Sequence, residues 1–436
     1  MSMGLLHRIV NAVGRRGAMA RPEVGRVVRP RKEDTWRDYP ADGLTPQRLV
    51  SILHEADAGA PQAAMELFEQ MEEKDAHLHS VANTRRLGLT GLEWQVVSAA
   101  EGREGVDRAA ADEAASYCRE ALASLDRWEE ALQHLSLAIG RNLAVAELVW
   151  ELRDGGHRLA DVVPVDFGRL VFDEFGRVRI LTEAEPVRGM ALPANKFIAH
   201  APHAASGHAM RGGLLRVSAL AWLGKQLAVK DWLIFAEVFG MPVRIARYEP
   251  SATPEEKREL LRMLQSLGTD AAGIFSKAVE LELIESNRGT PPPPFEAIGN
   301  FLNRELSKAW LGQTLTTETG GQTGTFSTAQ IHNQVRLDLR EDDIRKEGRT
   351  IRRDVLRPLV ELKFGRGTPV PYFRRKLDRP RDLRELADVV SAAVNALGMR
   401  VPTRWAHETL GIPMAAEREA VLAGDARGGR RAEHEA

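Results

Sequence analysis

The chain has 436 residues, 43% hydrophobic and 28% charged, with 60 basic against 61 acidic side chains and a net charge of -1. That length accommodates two or three domains or one elongated subunit of several lobes, and the balanced charge argues against a uniformly basic nucleic-acid-binding surface. The single cysteine, Cys118, excludes an intrachain disulfide and any multi-cysteine metal centre.

Cys118 lies in the alanine-rich stretch 109–125 with no His or Lys pattern beside it to lower its pKa, so it reads as a small buried hydrophobe in a reducing compartment. No run reaches the roughly 18–20 apolar residues needed to span a bilayer. The best run, Trp232 to Val243, is short and broken by Glu237. At the N-terminus His7 and Arg8 interrupt what would be the apolar region of a signal peptide. Residues 1–37 are therefore expected to form a flexible basic arm.

Thr45-Pro46 opens the first element, an amphipathic helix with Leu49, Ile52, Leu53 and Ala56 on one face. A second helix is predicted from Gln62 to Leu87, with Leu67, Phe68, Met71, Leu78 and Val81 inward and the charged run Glu72-Glu73-Lys74-Asp75 outward. Leu92 to Val96 alternates as a strand with one wet face, and residues 107–140 read as two helices divided near Asp126. A β-rich run follows at 143–152. Arg169–Phe172 and Arg177–Ile180 flank Asp173-Glu174-Phe175-Gly176 as a hairpin, and Asn195 to His200 makes one more strand. The first 200 residues are thus expected to be α+β with a mainly antiparallel sheet.

Leu214 to Phe239 has no proline and reads as one long helix ended by Gly240-Met241-Pro242. Val243 to Tyr248 is a strand, Thr253-Pro254-Glu255-Glu256 a capping box opening a helix to Gly268, and Val279 to Ile284 a second strand. Four prolines close the stiff connector 287–294, and a helix follows over Phe295–Leu311. Thr314 to Thr325 has almost nothing to bury and reads as a mobile loop. Ser327 to Gln330 resembles a second capping box, opening a long helix through Ile331, Val335, Leu339, Ile344, Ile351, Val355 and Leu359 that Pro358 should kink or end. One or two helices after Pro380 precede a polar tail.

Little in this chain looks like catalytic machinery. His200, His203 and His208 are dense enough to raise a metal site, but their spacing matches no zinc signature and no carboxylate is nearby. Gly320, Gly321 and Gly324 lack the Lys-Ser/Thr of a phosphate-binding loop. Glu341-Asp342-Asp343 is expected to pair with Arg345 and Lys346 along a solvated helical face. No catalytic residue, metal or cofactor is expected.

The order of several short stretches resembles the portal proteins of Mu-like phages and prophages. They are Asp34 to Pro40 leading to Leu44-Thr45-Pro46, Met71 to Leu78, Arg85-Arg86-Leu87 to Leu92-Glu93-Trp94-Gln95-Val96, Leu192 to Ile198, Lys230-Asp231-Trp232 to Phe239-Gly240-Met241-Pro242, and Leu311 to Thr316. The resemblance implies the portal fold: a wing over 38–212, stem helices at 213–240 and 295–313, a strand-helix-strand clip at 241–294, a tunnel loop at 314–326, a long helix returning to the wing at 327–379 and a crown at 380–436. It also implies a ring, usually of twelve subunits, at one capsid vertex of the virion. Such a ring is assembled in the host cytoplasm and serves DNA packaging and ejection. Thr316, Thr317, Glu318, Thr319, Gln322 and Thr323 would then face non-specifically held double-stranded DNA. Arg258 and Arg262 on the clip would meet the terminase large subunit, with the major capsid protein and a head-tail adaptor as further partners and no membrane. A metal-dependent phage hydrolase using the His200–His208 loop, or a monomeric adaptor, would instead show bound zinc or no ring.

Overall fold

The computed structural model describes residues 20–31, 38–203, 209–239, 243–247, 251, 253–266, 280–284, 294–314, 326–377 and 383–415. The chain divides into two units, residues 1–376 and 377–436.

Helix α1 (Pro46–Asp57) starts as its sequence dictates: the Thr45 hydroxyl accepts from the Arg48 amide, and Leu49, Ile52 and Ala56 are buried. The stretch predicted as one helix over 62–87 is two, α2 (Gln62–Lys74) and α3 (Ala76–Thr90). Asp75 divides them, because its carboxylate accepts from the His77 and Leu78 amides and so caps a new helix in competition with continuing the old one. The predicted apolar face does turn inward. The charged run is split: Glu73 and Lys74 are exposed, but Glu72 and Asp75 are not. Glu72 is buried between Arg86 (2.6 Å) and Arg141 (3.2 Å), and Asp75 is buried against Lys225 (2.7 Å).

Strand β1 (Trp94–Val97) precedes three helices rather than two, α4 (Arg108–Ala123), α5 (Trp128–Ser136) and the single turn α6 (Ala138–Arg141), whose end is set by Asn142 in the left-handed region. Strand β2 (Ala144–Arg153) is the centre of an antiparallel sheet between β3 (Gly156–Pro164), which the sequence reading passed over, and β7 (Phe197–His200). The hairpin of β4 (Leu170–Phe172) and β5 (Val178–Ile180) turns on Asp173, which accepts from the Phe175 and Arg177 amides, and β6 (Met190–Ala191) adds a third strand.

The N-terminal arm is not wholly free. Gly25 donates to the Trp150 carbonyl (2.7 Å) where β2 has run past the end of β7, and Val27 and Val28 both donate to the Glu147 carboxylate. Lys196 donates to the Gly25 carbonyl and pairs with Glu147 at 3.3 Å, both side chains fully buried. Residues 20–31 are thus lodged on the sheet, held by main-chain contacts.

Helix α7 (Leu214–Phe239) has the predicted bounds. Past it, β8 (Val243–Arg247) pairs antiparallel with β9 (Glu280–Ile284), with α8 (Pro254–Ser266) between them in sequence. The Thr253 capping box is present: the Glu256 amide donates to the Thr253 hydroxyl (3.3 Å) and the Thr253 amide to the Glu256 carboxylate (2.7 Å). Helix α9 (Phe295–Leu311) also matches expectation. Helix α10 (Phe326–Ile351) begins one residue before Ser327, and the capping contact proposed there lies outside the described side chains. Pro358 does not stop this helix. Its ring excludes the Asp354 carbonyl and it lacks an amide to bond it, so residues Arg352–Leu356 open into a π-helical turn before α11 (Arg357–Phe364) resumes. Strand β10 (Tyr372–Arg375) then pairs antiparallel with β1.

One core lies beneath α1–α3, the start of α7 and the end of α9; a second fills the space between α4, α5, the β3-β2-β7 sheet and the π-turn region. Cys118 sits in the second, fully buried, and burial pushes its thiol up to about 12. The 377–436 unit contains α12 (Leu383–Asn395) and α13 (Thr403–Leu410). Among the described residues no helix is long and apolar enough to cross a membrane.

Candidate functional site

The most informative surface is a pair of helices whose apolar residues outnumber the contacts available to them. Helices α7 and α9 run antiparallel along each other. At one end the Trp310 indole donates to the Ser218 hydroxyl (3.0 Å). At the other, Trp232 and Phe235 meet the Phe295 ring at 6.4 and 5.8 Å between centroids. The base is fastened by charge: Lys225 on Asp75, Arg216 bidentate on Asp57 (2.8 and 2.9 Å), and a His77–Ser307 hydrogen bond of 2.8 Å.

Along α7 several large apolar side chains are exposed among the polar Gln226, Lys230, Asp231 and Glu237. Val217, Leu220, Leu227 and Ile234 form one exposed stripe, and Trp232 and Leu233 are exposed on other faces. Leu220 is 71% and Leu233 67% accessible, while on α9 Ile298 and Phe301 are exposed as well. Large apolar side chains left exposed in a row along one helix mark an interaction surface. The helix is legible in the sequence, but its exposure is not. The one signal available was the number of large apolar residues on the helix, more than one buried face holds.

The end of α9 is held against α3 and α10. Helix α9 ends at Gly312 in the left-handed conformation (φ +68°), and a Cβ there would lie 2.8 Å from Val335 Cγ1 on α10, so only glycine permits the turn and the approach together. Arg85 on α3 joins the three helices. Its guanidinium donates to the Trp310 carbonyl (2.9 Å) and grips Asp343 on α10 with two bonds of 2.9 and 3.1 Å, both side chains buried. Asp343 is therefore not part of a solvated face. Asp342 is, taking Lys346 at 2.6 Å and Arg345 at 3.4 Å as expected. Of the predicted loop residues, Thr316, Thr317, Glu318, Thr319, Gln322 and Thr323 all lie outside the described residues.

Arg258 and Arg262 are both exposed on α8. Arg258 already bonds Glu255 on its own helix and the Pro254 carbonyl (3.3 Å), so its charge is partly answered within the subunit.

The histidine cluster is brought into the structure rather than around a metal. His200 is buried on β7 with Nδ1 against the Thr350 hydroxyl (2.9 Å), and burial, with help from Arg353, pushes it down to about 3. His203 is fastened by its backbone to both ends of the Asn142 side chain, and its ring sits 3.3 Å from Lys346; burial and that charge lower its pKa. His208 lies outside the described residues. Among the described residues no group of three His, Cys, Asp or Glu could hold a metal ion.

An α+β body, an antiparallel pair of long helices and a strand-helix-strand unit between them define a fold that solved structures share. A chain of the native gene transfer agent virion superposes with a TM-score of 0.51 at 11% identity, over 85% of this chain and 95% of that one. A chain from the neck of the empty gene transfer agent particle gives 0.51 at 13%, with the same coverage. The family described as the portal protein of Mu bacteriophage matches residues 65–412. The chain is 31% identical over 393 residues to the Mu-like prophage FluMu protein gp29 of Haemophilus influenzae, covering 89% of this chain and 74% of that one. It is 29% identical over 394 residues to the portal protein of Escherichia phage Mu, covering 88% and 74%. The chain belongs to the portal protein family of Mu-like bacteriophages.

Proposed function

We propose that this chain assembles into a closed ring, of twelve copies as the family resemblance implies, at one vertex of a capsid, and that double-stranded DNA is packaged and ejected through its centre. The observation that carries this reading is the uncovered apolar surface of α7 and α9. Fully burying a Leu, Ile or Val side chain is worth roughly 1.5–3 kcal/mol, so a stripe of four repeated at every subunit contact is a substantial driving force. A head-to-tail contact that closes on itself covers that surface in every copy without leaving an open end.

The lobes are those the family resemblance implies. The body on residues 38–212 is the wing, α7 and α9 the stem, β8-α8-β9 the clip, and 314–326 the tunnel loop. The pairing of β10 with β1 supports a long helix that returns to the wing, and residues 380–436 form the crown. Arg258 and Arg262 lie on the clip for terminase or the head-tail adaptor, and the wing faces the major capsid protein. Assembly takes place in the host cytoplasm. The ring performs no chemistry; a separate ATP-driven motor supplies the work.

The test is Leu220→Arg in the full-length protein, measured by light scattering and negative-stain imaging beside the wild type. Leu220 contributes little to the subunit's own core, so the variant should keep its circular dichroism while its particles fall from rings to subunits. Variant rings of unchanged mass would reject this surface as the ring contact, and wild-type particles without a central hole would reject the portal reading itself.

A further inference from the structure

We propose that Arg336 and Arg340, one turn apart on α10, form a phosphate-contact site through which each subunit touches the sugar-phosphate backbone of DNA; the proposal rests on the channel reading above. Three observations lead to it.

First, the pair is left without an acceptor. Among the described residues no carboxylate bonds either guanidinium, and Arg340 Nε is shut off from solvent with no hydrogen-bond partner. This contrasts with the rest of the same helix, where Asp342 takes Arg345 and Lys346, Asp343 takes Arg85, and Glu347 takes Arg375 in a buried bidentate pair. Asp338, between the two arginines in sequence, accepts instead from Gln334 (2.8 Å). Burial and the neighbouring Arg336 charge lower the Arg340 pKa, with Glu341 pulling the other way. Like charges one turn apart repel, and a guanidinium half out of water without a partner adds to that cost. An anion from outside the subunit removes both penalties.

Second, the pair is placed beside the base of the tunnel segment. Val335 and Leu339, the residues that receive Gly312 at the end of α9, are the immediate sequence neighbours of Arg336 and Arg340 on the same two turns. The Arg340 stem lies across α3, with Cδ 3.7 Å from where a Cβ on Gly88 would stand, so its reach is directed along a fixed ledge.

Third, the adjacent segment cannot neutralise the pair. Residues 314–325 carry one carboxylate, Glu318, against two guanidiniums. A duplex supplies phosphates in a regular file, and phosphate contacts carry no sequence information. Identical pairs repeated around a ring would pass the backbone from subunit to subunit without stopping it at any sequence.

The experiment compares wild-type rings with R336Q/R340Q and with the single variant R336Q, binding a short blunt-ended duplex across a salt series by fluorescence anisotropy. The slope of log K against log salt should fall by about 1.8 per engaged subunit in the double variant and by about half that in R336Q. R336K/R340K should restore it, because a point charge suffices for a phosphate. Intact variant rings with an unchanged slope would overturn the proposal. Loss of rings in the double variant would also overturn it, assigning the pair to a carboxylate of the adjacent copy. If the wild type forms no rings, the portal reading fails and takes this site with it, an outcome visible before any DNA is added.

Discussion

The lodging of residues 20–31 on the sheet makes Glu147→Gln a sharp test of what a buried charge does here. In the native protein the Glu147 carboxylate receives three donors, the Val27 and Val28 amides and the Lys196 ammonium, and Lys196 has no exposure to water. Glutamine has the same size, but it turns one acceptor oxygen into an NH2 that must face another donor, and it leaves the buried Lys196 charge without a counter-ion. Breaking a buried pair from one side costs about 3–5 kcal/mol. At roughly 2 °C per kcal/mol for a unit this large, that is a fall of about 6–10 °C in Tm. Lys196→Met should cost less, because the carboxylate keeps its two amide donors. Tm would be read by differential scanning fluorimetry on the full chain. Trypsin cleavage after Arg26 would be followed at the same time, since loss of the clamp should expose the Arg26–Val27 bond; Arg21 and Arg29 each precede a proline and are not cut. A Tm within 1 °C of wild type together with unchanged protection after Arg26 would refute the argument that this ion pair holds the N-terminal strap.

Two further outcomes follow from buried groups. His134 and His200 are held neutral in the fold, pushed down to about 4 and about 3, both chiefly by burial. A histidine whose folded pKa lies below its unfolded value binds its proton more readily when unfolded, so stability is intact above about pH 6.5 and is lost as pH falls towards those values. Each contributes a loss of about 1.4 kcal/mol per pH unit in that window. Urea melts at pH 7 and pH 5 should show it, and His200→Gln should flatten the dependence. Arg85→Met would strand the buried Asp343 carboxylate and the Trp310 carbonyl, costing about 3–5 kcal/mol. Faster amide exchange at Gly312 and Gln313 than in wild type is the expected local sign; unchanged exchange there would mean the junction is held by packing alone.

Much of the chain path was legible because long helices and their caps are local properties. The limits of α7 and α9 follow from uninterrupted apolar periodicity between Gly and Pro signals, and the Thr253–Glu256 box forms as written. Strand β3 was equally legible and was missed: Asp154 and Gly155 both take positive φ (52° and 76°), the two-residue turn that joins β2 to β3, and Asp-Gly between alternating residues is a strong hairpin signal.

The charges are a different matter. Glu72, Asp75, Asp343 and Glu347 stand in runs that look like solvated helical faces, and nothing within a few residues distinguishes them from Glu73 or Asp342, which are. Their partners are Arg86 and Arg141, Lys225, Arg85 and Arg375, most of them far away in sequence, and burial is decided by where those chains arrive. The pattern of arrival has a common direction. Asp75 with Lys225 fixes α7 to the α+β body, Arg85 with Asp343 fixes the end of α9 to α10, and Glu347 with Arg375 fixes α10 to the strand that pairs with β1. Each pair joins a long helix to the α+β body, where two ions tolerate only one register while an apolar contact tolerates sliding. A subunit whose long helices must meet identical neighbours at one repeated angle needs that register, and removing either partner should blur the geometry of a ring before it unfolds the subunit.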